Sequence, residues 1–313
     1  LEENAAKQEV LNRLGVSSSV SATSGLEESL MNILSKLKNS YRGNPEVVTA
    51  IEAVENRLQM VPLGLKSEVD SWPSIKNTKS LLIEMWSENV PLVLLLDQIS
   101  FLNNALDEMA QSRIVPGTSI RLLWAAPPEN PEPDLRLVAE TIDQLKNTAP
   151  GFYNLVVNNV RVISFGTVPD GAAGSVSHLR LGLVDLEYPF NPKSGQEARV
   201  DYLLGTLVQE ADHLRFFKEW PERGWLIADH DFKFRPSRGM SIVSNPLDPF
   251  FYLVEVDGYG ANIEAWIRLA RSVSGQPNRK ERILERLYSK LLSVEKMLRR
   301  LKTLLGKGIL TPE

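Results

Sequence analysis

The C-terminal segment of the chain holds the pattern that most restricts its fold. Apolar residues recur there at alternating intervals of three and four: Leu284, Leu287, Leu291, Val294, Leu298, Leu301 and Leu305. This spacing predicts one long helix with a continuous apolar seam. Four further apolar residues flank the seam: Ile283, Leu292, Met297 and Leu304. They widen it, which favours a helical bundle over a bare two-stranded coiled coil. We therefore predict that the seam is buried, against helices of the same chain or against a second copy.

The same helix is strongly basic. Residues 276–307 carry ten Lys or Arg and three Glu, a net charge of +7, whereas the rest of the chain carries −11. A basic helix on an acidic body can bind nucleic acid, bind an acidic partner or pack on its own body. Aromatic residues make up only 7% of the chain and do not alternate with these basic ones, which weakens the nucleic-acid hypothesis.

The N-terminal region is predicted to be helical. A capping box from Ser24 to Glu27 precedes apolar residues at helical spacing, and a second helix follows a break at 42–45. The helices at 24–60 and the final helix at 278–306 are the segments through which we expect a protein partner or self-association.

Short apolar runs alternate with helical segments in the middle of the chain. Strands are predicted at 90–97, 116–126, 152–157, 160–166, 177–188, 224–234 and 250–257. Amphipathic helices are predicted between them, including one with Asp134 at its cap. This alternation indicates an α/β fold with a mostly parallel or mixed sheet and crossover helices. We expect three units: a helical region at 1–89, an α/β domain at 90–257 and a helical region at 258–313.

Composition excludes several kinds of site. The chain has no cysteine, which rules out disulfides, thiolate zinc sites and cysteine nucleophiles and favours a reducing compartment. No apolar run approaches the roughly 20 residues that a membrane-spanning helix needs. We expect a soluble, cytoplasmic protein without membrane contact. Because the chain begins at Leu1 without Met, we expect a part of a larger protein.

The predicted strand at 177–188 carries the densest set of reactive side chains. If it is extended, Asp185 and Glu187 lie on the same face as its leucines, near the carboxyl end. Ligands of open α/β sheets bind at that edge. His178 and Arg180 fall on the other face.

His178, Arg180 and Asp185 form the pattern H-x-R-x4-D, which resembles the H-x-K-x4-D motif of the phospholipase D superfamily. The resemblance covers about residues 90–190. It implies that His178 is a nucleophile on phosphorus, that Arg180 binds phosphate and that Asp185 orients a histidine. His230 and Lys233 stand where a second motif is expected, but with altered spacing.

The departures from that family favour a degenerate member. A planar guanidinium replaces the compact ammonium of the family's lysine, and the second motif is incomplete. We therefore expect a non-catalytic binding or regulatory module within a larger assembly. We also expect that replacing His178 with alanine leaves any activity largely intact.

The first alternative is a phosphodiester-processing enzyme of the nucleotidyltransferase kind. A Gly-Ser pair at 174–175 followed by Asp185 and Glu187 is similar to that signature, in which carboxylates hold Mg²⁺ or another divalent metal. Asp229 or Asp231 would supply the third carboxylate. This hypothesis predicts that the four carboxylates cluster at one edge of the sheet.

The second enzymatic alternative is a metal-dependent nuclease. Asp231 and Lys233 are similar to the (D/E)-x-K nuclease pattern, with Glu210 or Asp212 from the preceding helix. Further possible metal ligands are His213, Asp229 and His230. A nucleic-acid module that uses the basic final helix is a third hypothesis.

Overall fold

The computed structural model describes residues 28–88, 91–168, 172–176, 180–219 and 249–306, and most of this part of the chain is helical. The helices are α1 (Leu30–Ser40), α2 (Pro45–Met60), a 3-10 segment (Leu63–Ser71), α3 (Pro73–Glu88), α4 (Leu92–Gln111), α5 (Glu132–Thr148), α6 (Pro150–Asn159), α7 (Gln196–Glu219), α8 (Pro249–Ser272) and α9 (Pro277–Gly306). The strands are β1 (Arg113–Ile114), β2 (Arg121–Trp124), β3 (Val162–Gly166), β4 (Gly174–Val176) and β5 (Leu183–Glu187).

These strands form one mixed sheet in the order β1-β2-β3-β5-β4. The three central strands β2, β3 and β5 are parallel, and the two edge strands are antiparallel to their neighbours. The register places Ser164 beside Asp185. The predicted α/β fold, with a mixed sheet between N-terminal and C-terminal helices, is therefore confirmed.

Side chains alternate between the two faces of the sheet along each strand. Helices cover both faces. One face packs against α5, α6 and α7 and contributes Leu122, Trp124, Ile163, Phe165, Val184 and Leu186 to that core. The opposite face packs against the N-terminal helices and contributes Leu123, Val162 and Leu183. A sheet buried on both faces explains the near-continuous apolar runs of its central strands.

Helices α1 and α2 begin at polar caps. The Ser29 hydroxyl accepts a hydrogen bond from the Asn32 N–H at the start of α1. The Asn44 side chain accepts from the N–H groups of Glu46 and Val47 at the start of α2. Such caps satisfy N–H groups that have no partner inside the helix. The predicted capping box at Ser24 and Glu27 lies outside the described residues.

Three predicted strands are wrong. Residues 92–97 belong to α4, residues 152–157 to α6 and residues 250–257 to α8. A short continuous apolar run fits a buried strand and a buried helix equally well. In α4 the run continues at helical spacing, and its buried side chains pack with those of the N-terminal helices. The strands predicted at 116–126 and 160–166 are confirmed as β2 and β3, and the segment 224–234 lies outside the described residues.

The predicted strand at 177–188 begins later than expected. Gly182 has φ of +100°, in the left-handed region that glycine adopts without strain. Its carbonyl accepts the N–H groups of Arg161 and Val162, and β5 starts at the next residue. Arg180 therefore lies in the turn before β5, and the predicted alternation holds only from Leu183 onward.

Asp134 was predicted to cap a helix, but it lies within the first turn of α5. Its buried carboxylate accepts a hydrogen bond of 3.0 Å from the indole Nε1 of Trp124, so it ties α5 to β2. The predicted boundaries at 89/90 and 257/258 remain predictions, and α8 runs through the second of them. Among the described helices, none combines the length and apolar composition that a bilayer crossing requires.

Candidate functional site

Arg180 and Asp185, which the sequence singled out, are paired with each other. The Arg180 Nη2 lies 2.5 Å from the Asp185 Oδ2, and both side chains are partly buried. Ser164 of β3 also hydrogen-bonds the Asp185 carboxyl group. Burial raises the pKa of Asp185, and the Arg180 charge opposes that rise. The Arg180 charge is therefore engaged in an ion pair within the protein.

A second carboxyl group, that of Glu108, is close enough to Arg180 to be influenced by its charge. Glu108 of α4 accepts a hydrogen bond of 3.2 Å from the Ser74 hydroxyl of α3. Burial raises the pKa of Glu108, and the nearby Arg180 charge only partly offsets this rise. The Arg180 charge thus acts on carboxyl groups of both β5 and α4. The sequence did not single out Glu108, because it lies in a helix far from Arg180 in the chain.

The other predicted site residues are placed as follows. Glu187 ends β5 and is exposed. His178, Asp229, His230, Asp231 and Lys233 lie outside the described residues. Within the described ranges, no group of three or more His, Asp or Glu side chains is arranged to hold a metal ion. The predicted cluster of four carboxylates stays a prediction.

A larger polar cluster lies between α7, α8 and α9. Glu210 and His213 of α7 are both buried, with the His213 Nδ1 3.3 Å from the Glu210 Oε2. Glu255 of α8 is close enough to act electrostatically on both. Asp212, on the neighbouring part of the helix, pairs instead with Arg215 at 2.7 Å. Two of the residues considered for a nuclease site therefore meet each other.

The polar cluster continues onto α9 through an amide. The Gln209 Oε1 accepts hydrogen bonds from the Asn262 Nδ2 of α8 at 3.2 Å and from the Lys290 Nζ of α9 at 3.3 Å. The Lys290 ammonium also lies 4.3 Å from the centre of the Tyr259 ring, a cation–π contact. The polar cluster is defined here as Gln209, Glu210, His213, Glu255, Tyr259, Asn262 and Lys290.

The ionisable groups of the polar cluster shift one another's pKa values. Burial disfavours the imidazolium of His213, but Glu210 together with Glu255 and Asp212 outweighs it and raises the pKa to about 9. Burial raises the pKa of Glu255 and lowers that of Lys290. Burial and the neighbouring carboxylates also raise the pKa of Tyr259 to about 12. His213 is therefore a buried cation at neutral pH.

Close packing leaves little space beside His213. A Cβ atom on Gly258 of α8 would lie only 2.3 Å from the His213 Nε2. Only glycine permits α8 to approach α7 so closely at this point. The imidazole is thus enclosed by backbone on one side and by carboxylates on the other, so the cluster joins three helices and leaves His213 little access to a substrate.

The outward face of α9 carries large apolar side chains. The exposed fractions are 45% for Leu284, 64% for Tyr288, 45% for Leu291 and 47% for Leu298. We call these four residues the outer stripe. Leu292, beside it, is also exposed.

The prediction of a fully buried seam is therefore wrong at Leu284, Leu291 and Leu298. The buried side of α9 is displaced by about half of the roughly 100° between consecutive residues. Ile283, Lys290 and Met297 therefore face α7 and α8, together with Leu287 and Leu301 of the predicted seam. The sequence predicted that the widened seam makes one broad contact with a single body. Instead, the apolar residues of α9 are divided between a buried side and an exposed side.

The polar groups and the apolar surface thus differ in accessibility. Arg180, His213 and Lys290 are engaged with neighbouring side chains, whereas the outer stripe faces solvent. No protein-family model matches the chain, and no curated protein matches it at a significant level.

Proposed function

We propose that this protein is a non-catalytic protein-interaction module that binds a helical partner through the outer stripe of α9. The exposure of four large apolar residues along one side of a 30-residue helix carries this proposal. Large apolar side chains exposed along one side of a helix are typical of protein–protein contact sites. An amphipathic helix fits such a stripe with side chains at intervals of three and four residues.

The state of the polar groups supports binding over catalysis. A catalytic acid, base or nucleophile must reach the reacting atoms of a substrate. Arg180 is 2.5 Å from Asp185, His213 is buried against Glu210, and Lys290 bonds Gln209. These groups stabilise contacts between elements of the fold.

Within this proposal, the α/β body is a degenerate phospholipase D-like scaffold in a larger assembly. In the family that the H-x-R-x4-D pattern resembles, the basic residue binds phosphate. The pairing of Arg180 with Asp185 and its proximity to Glu108 favour a structural use of that charge instead. The scaffold then serves to hold α9 in place.

The test uses designed peptides with leucine at heptad positions a and d, in an acidic and a basic version, and a third peptide with serine at those positions. Each fluorescent peptide is titrated with the full chain, and binding is followed by anisotropy. We expect at least one leucine peptide to bind and the serine peptide not to bind. Failure of both leucine peptides to bind would overturn the proposal.

Leu291→Glu is expected to weaken peptide binding by about tenfold or more, equivalent to about 1.4 kcal/mol. Because Leu291 is 45% exposed and is not among the described core residues, the melting temperature should change by only a few degrees. Leu63→Glu is the matched control, since Leu63 is an exposed leucine outside α9. Equal binding by wild type and Leu291→Glu would show that the outer stripe is not the contact surface.

A further inference from the structure

The spacing of the residues in the outer stripe indicates which partner helix packs against it. This inference rests on the proposed function of α9. Leu284 and Leu298 each lie seven residues from Leu291, on either side. Seven residues are about two helical turns, or roughly 10 Å. A twofold axis at Leu291 would therefore bring Leu284 of one copy onto Leu298 of another, in an antiparallel pair. The stripe is complementary to itself.

The charges beside the stripe follow the same symmetry. Exposed Glu281 and Glu285 lie toward the N-terminal end of α9, and exposed Lys296 and Arg299 lie toward its C-terminal end. On a helix of 3.6 residues per turn, all four fall on the same side of the stripe. Glu285 precedes Leu291 by six residues and Lys296 follows it by five. Because an antiparallel twofold pair brings this side of one helix against the same side of the other, it places opposite charges side by side.

Three basic residues of the N-terminal half of α9 are engaged with the body. Arg279 pairs with Asp201 at 2.6 Å, and Arg282 pairs with Glu197. The Arg286 guanidinium lies 4.3 Å from the centre of the Tyr202 ring. The large positive charge of this helix is therefore partly neutralised by α7. Beside the outer stripe, the N-terminal end is acidic. The C-terminal end carries Lys296 and Arg299, with Glu295 paired to Arg299 at 2.5 Å.

We propose that the outer stripe of α9 packs against the outer stripe of a second copy of this chain. The two helices run antiparallel about a twofold axis at Leu291. Glu285 of each copy lies beside Lys296 of the other, and Glu281 lies near Arg299. Such an isologous contact closes on itself as a dimer.

The test measures the mass of the full chain by sedimentation equilibrium from about 1 to 100 µM, the range typical of modest interfaces. Wild type is expected to approach twice its mass of 35.0 kDa. Glu285→Lys and Lys296→Glu, each alone, place like charges together at two symmetric positions. Each should weaken association by about tenfold. The double variant restores opposite charges and should return to within about threefold of wild type.

Arg300→Glu is the matched control for Lys296→Glu. Arg300 is an exposed cation on the same helix, but it lies on the side away from the outer stripe. Its reversal should leave association unchanged. If the wild-type chain stays monomeric but binds a designed leucine peptide, the outer stripe does not bind a second copy. The proposed function would still hold in that case. If the wild-type chain dimerises and neither Leu291→Glu nor the charge reversals change its association, this interface is overturned.

Discussion

Replacing Gly258 with alanine is expected to destabilise the protein by about 3 kcal/mol, the upper part of the range for overpacked cores. The added Cβ would lie 2.3 Å from the His213 Nε2 and 2.7 Å from its Cδ2, far inside van der Waals contact. The imidazole cannot simply swing away, because its Nδ1 bonds the buried Glu210. Urea unfolding followed by tryptophan fluorescence measures the loss.

Gly260, two residues further along α8, provides the control. It is exposed, and a Cβ at this position would meet nothing within 4 Å. Gly260→Ala should therefore stabilise the protein by about 0.5–1 kcal/mol through helix propensity alone. The same substitution in the same helix thus has opposite signs. If both variants were stabilised equally, α8 would not approach α7 at Gly258 as described.

Stability should also fall as pH rises through about 9, because of His213. Its pKa in the folded protein, about 9, lies above its ordinary value of 6.5. The resulting stabilisation is complete below pH 6.5 and is lost as pH rises through 9. A rise of this size corresponds to a loss on the order of 3 kcal/mol. The measurement is the free energy of unfolding of wild type and His213→Gln between pH 6 and pH 10.

The difference between the two proteins isolates His213 from its neighbours. Glu210 and Asp212 of α7, Glu255 and Tyr259 of α8 and Lys290 of α9 are present in both. His213→Gln should be less stable at pH 6 and should approach wild type near pH 10. A pH-independent difference would mean that the imidazole is neutral in the fold, contrary to its position between carboxylates.

The sheet could be predicted where sequence periodicity matched one structure only. The runs that became β2 and β3 are short and are bounded by turn residues, so their length excluded a helix. The run at 90–97 has similar composition, but it continues at helical spacing through Leu102 and Leu106, which pack on the N-terminal helices. The residues at 90–97 taken alone fit a strand and a helix equally well. Their packing against the N-terminal helices favours the helix.

The candidate sites show the same limit. Arg180 and Asp185 could be chosen together because they are near in sequence, whereas Glu108 reaches them from a distant helix. Glu255 and Lys290 were missed for that reason too. Lys290 does carry a signal, since it lies between Leu287 and Val294 on the buried side of α9. A cation there predicts a buried acceptor, but the sequence does not name Gln209 as that acceptor.

The hydrogen bond from Lys290 to Gln209 also sets the axial position of α9. Slippage of α9 by one turn would move the ammonium about 5.4 Å along the helix, away from its acceptor. Unlike leucines, which can exchange neighbours at small cost, a buried ammonium has few equivalent positions. The axial position of Leu291 is therefore fixed in part by the adjacent residue Lys290, whose side chain points toward the body, about 100° around the helix from Leu291.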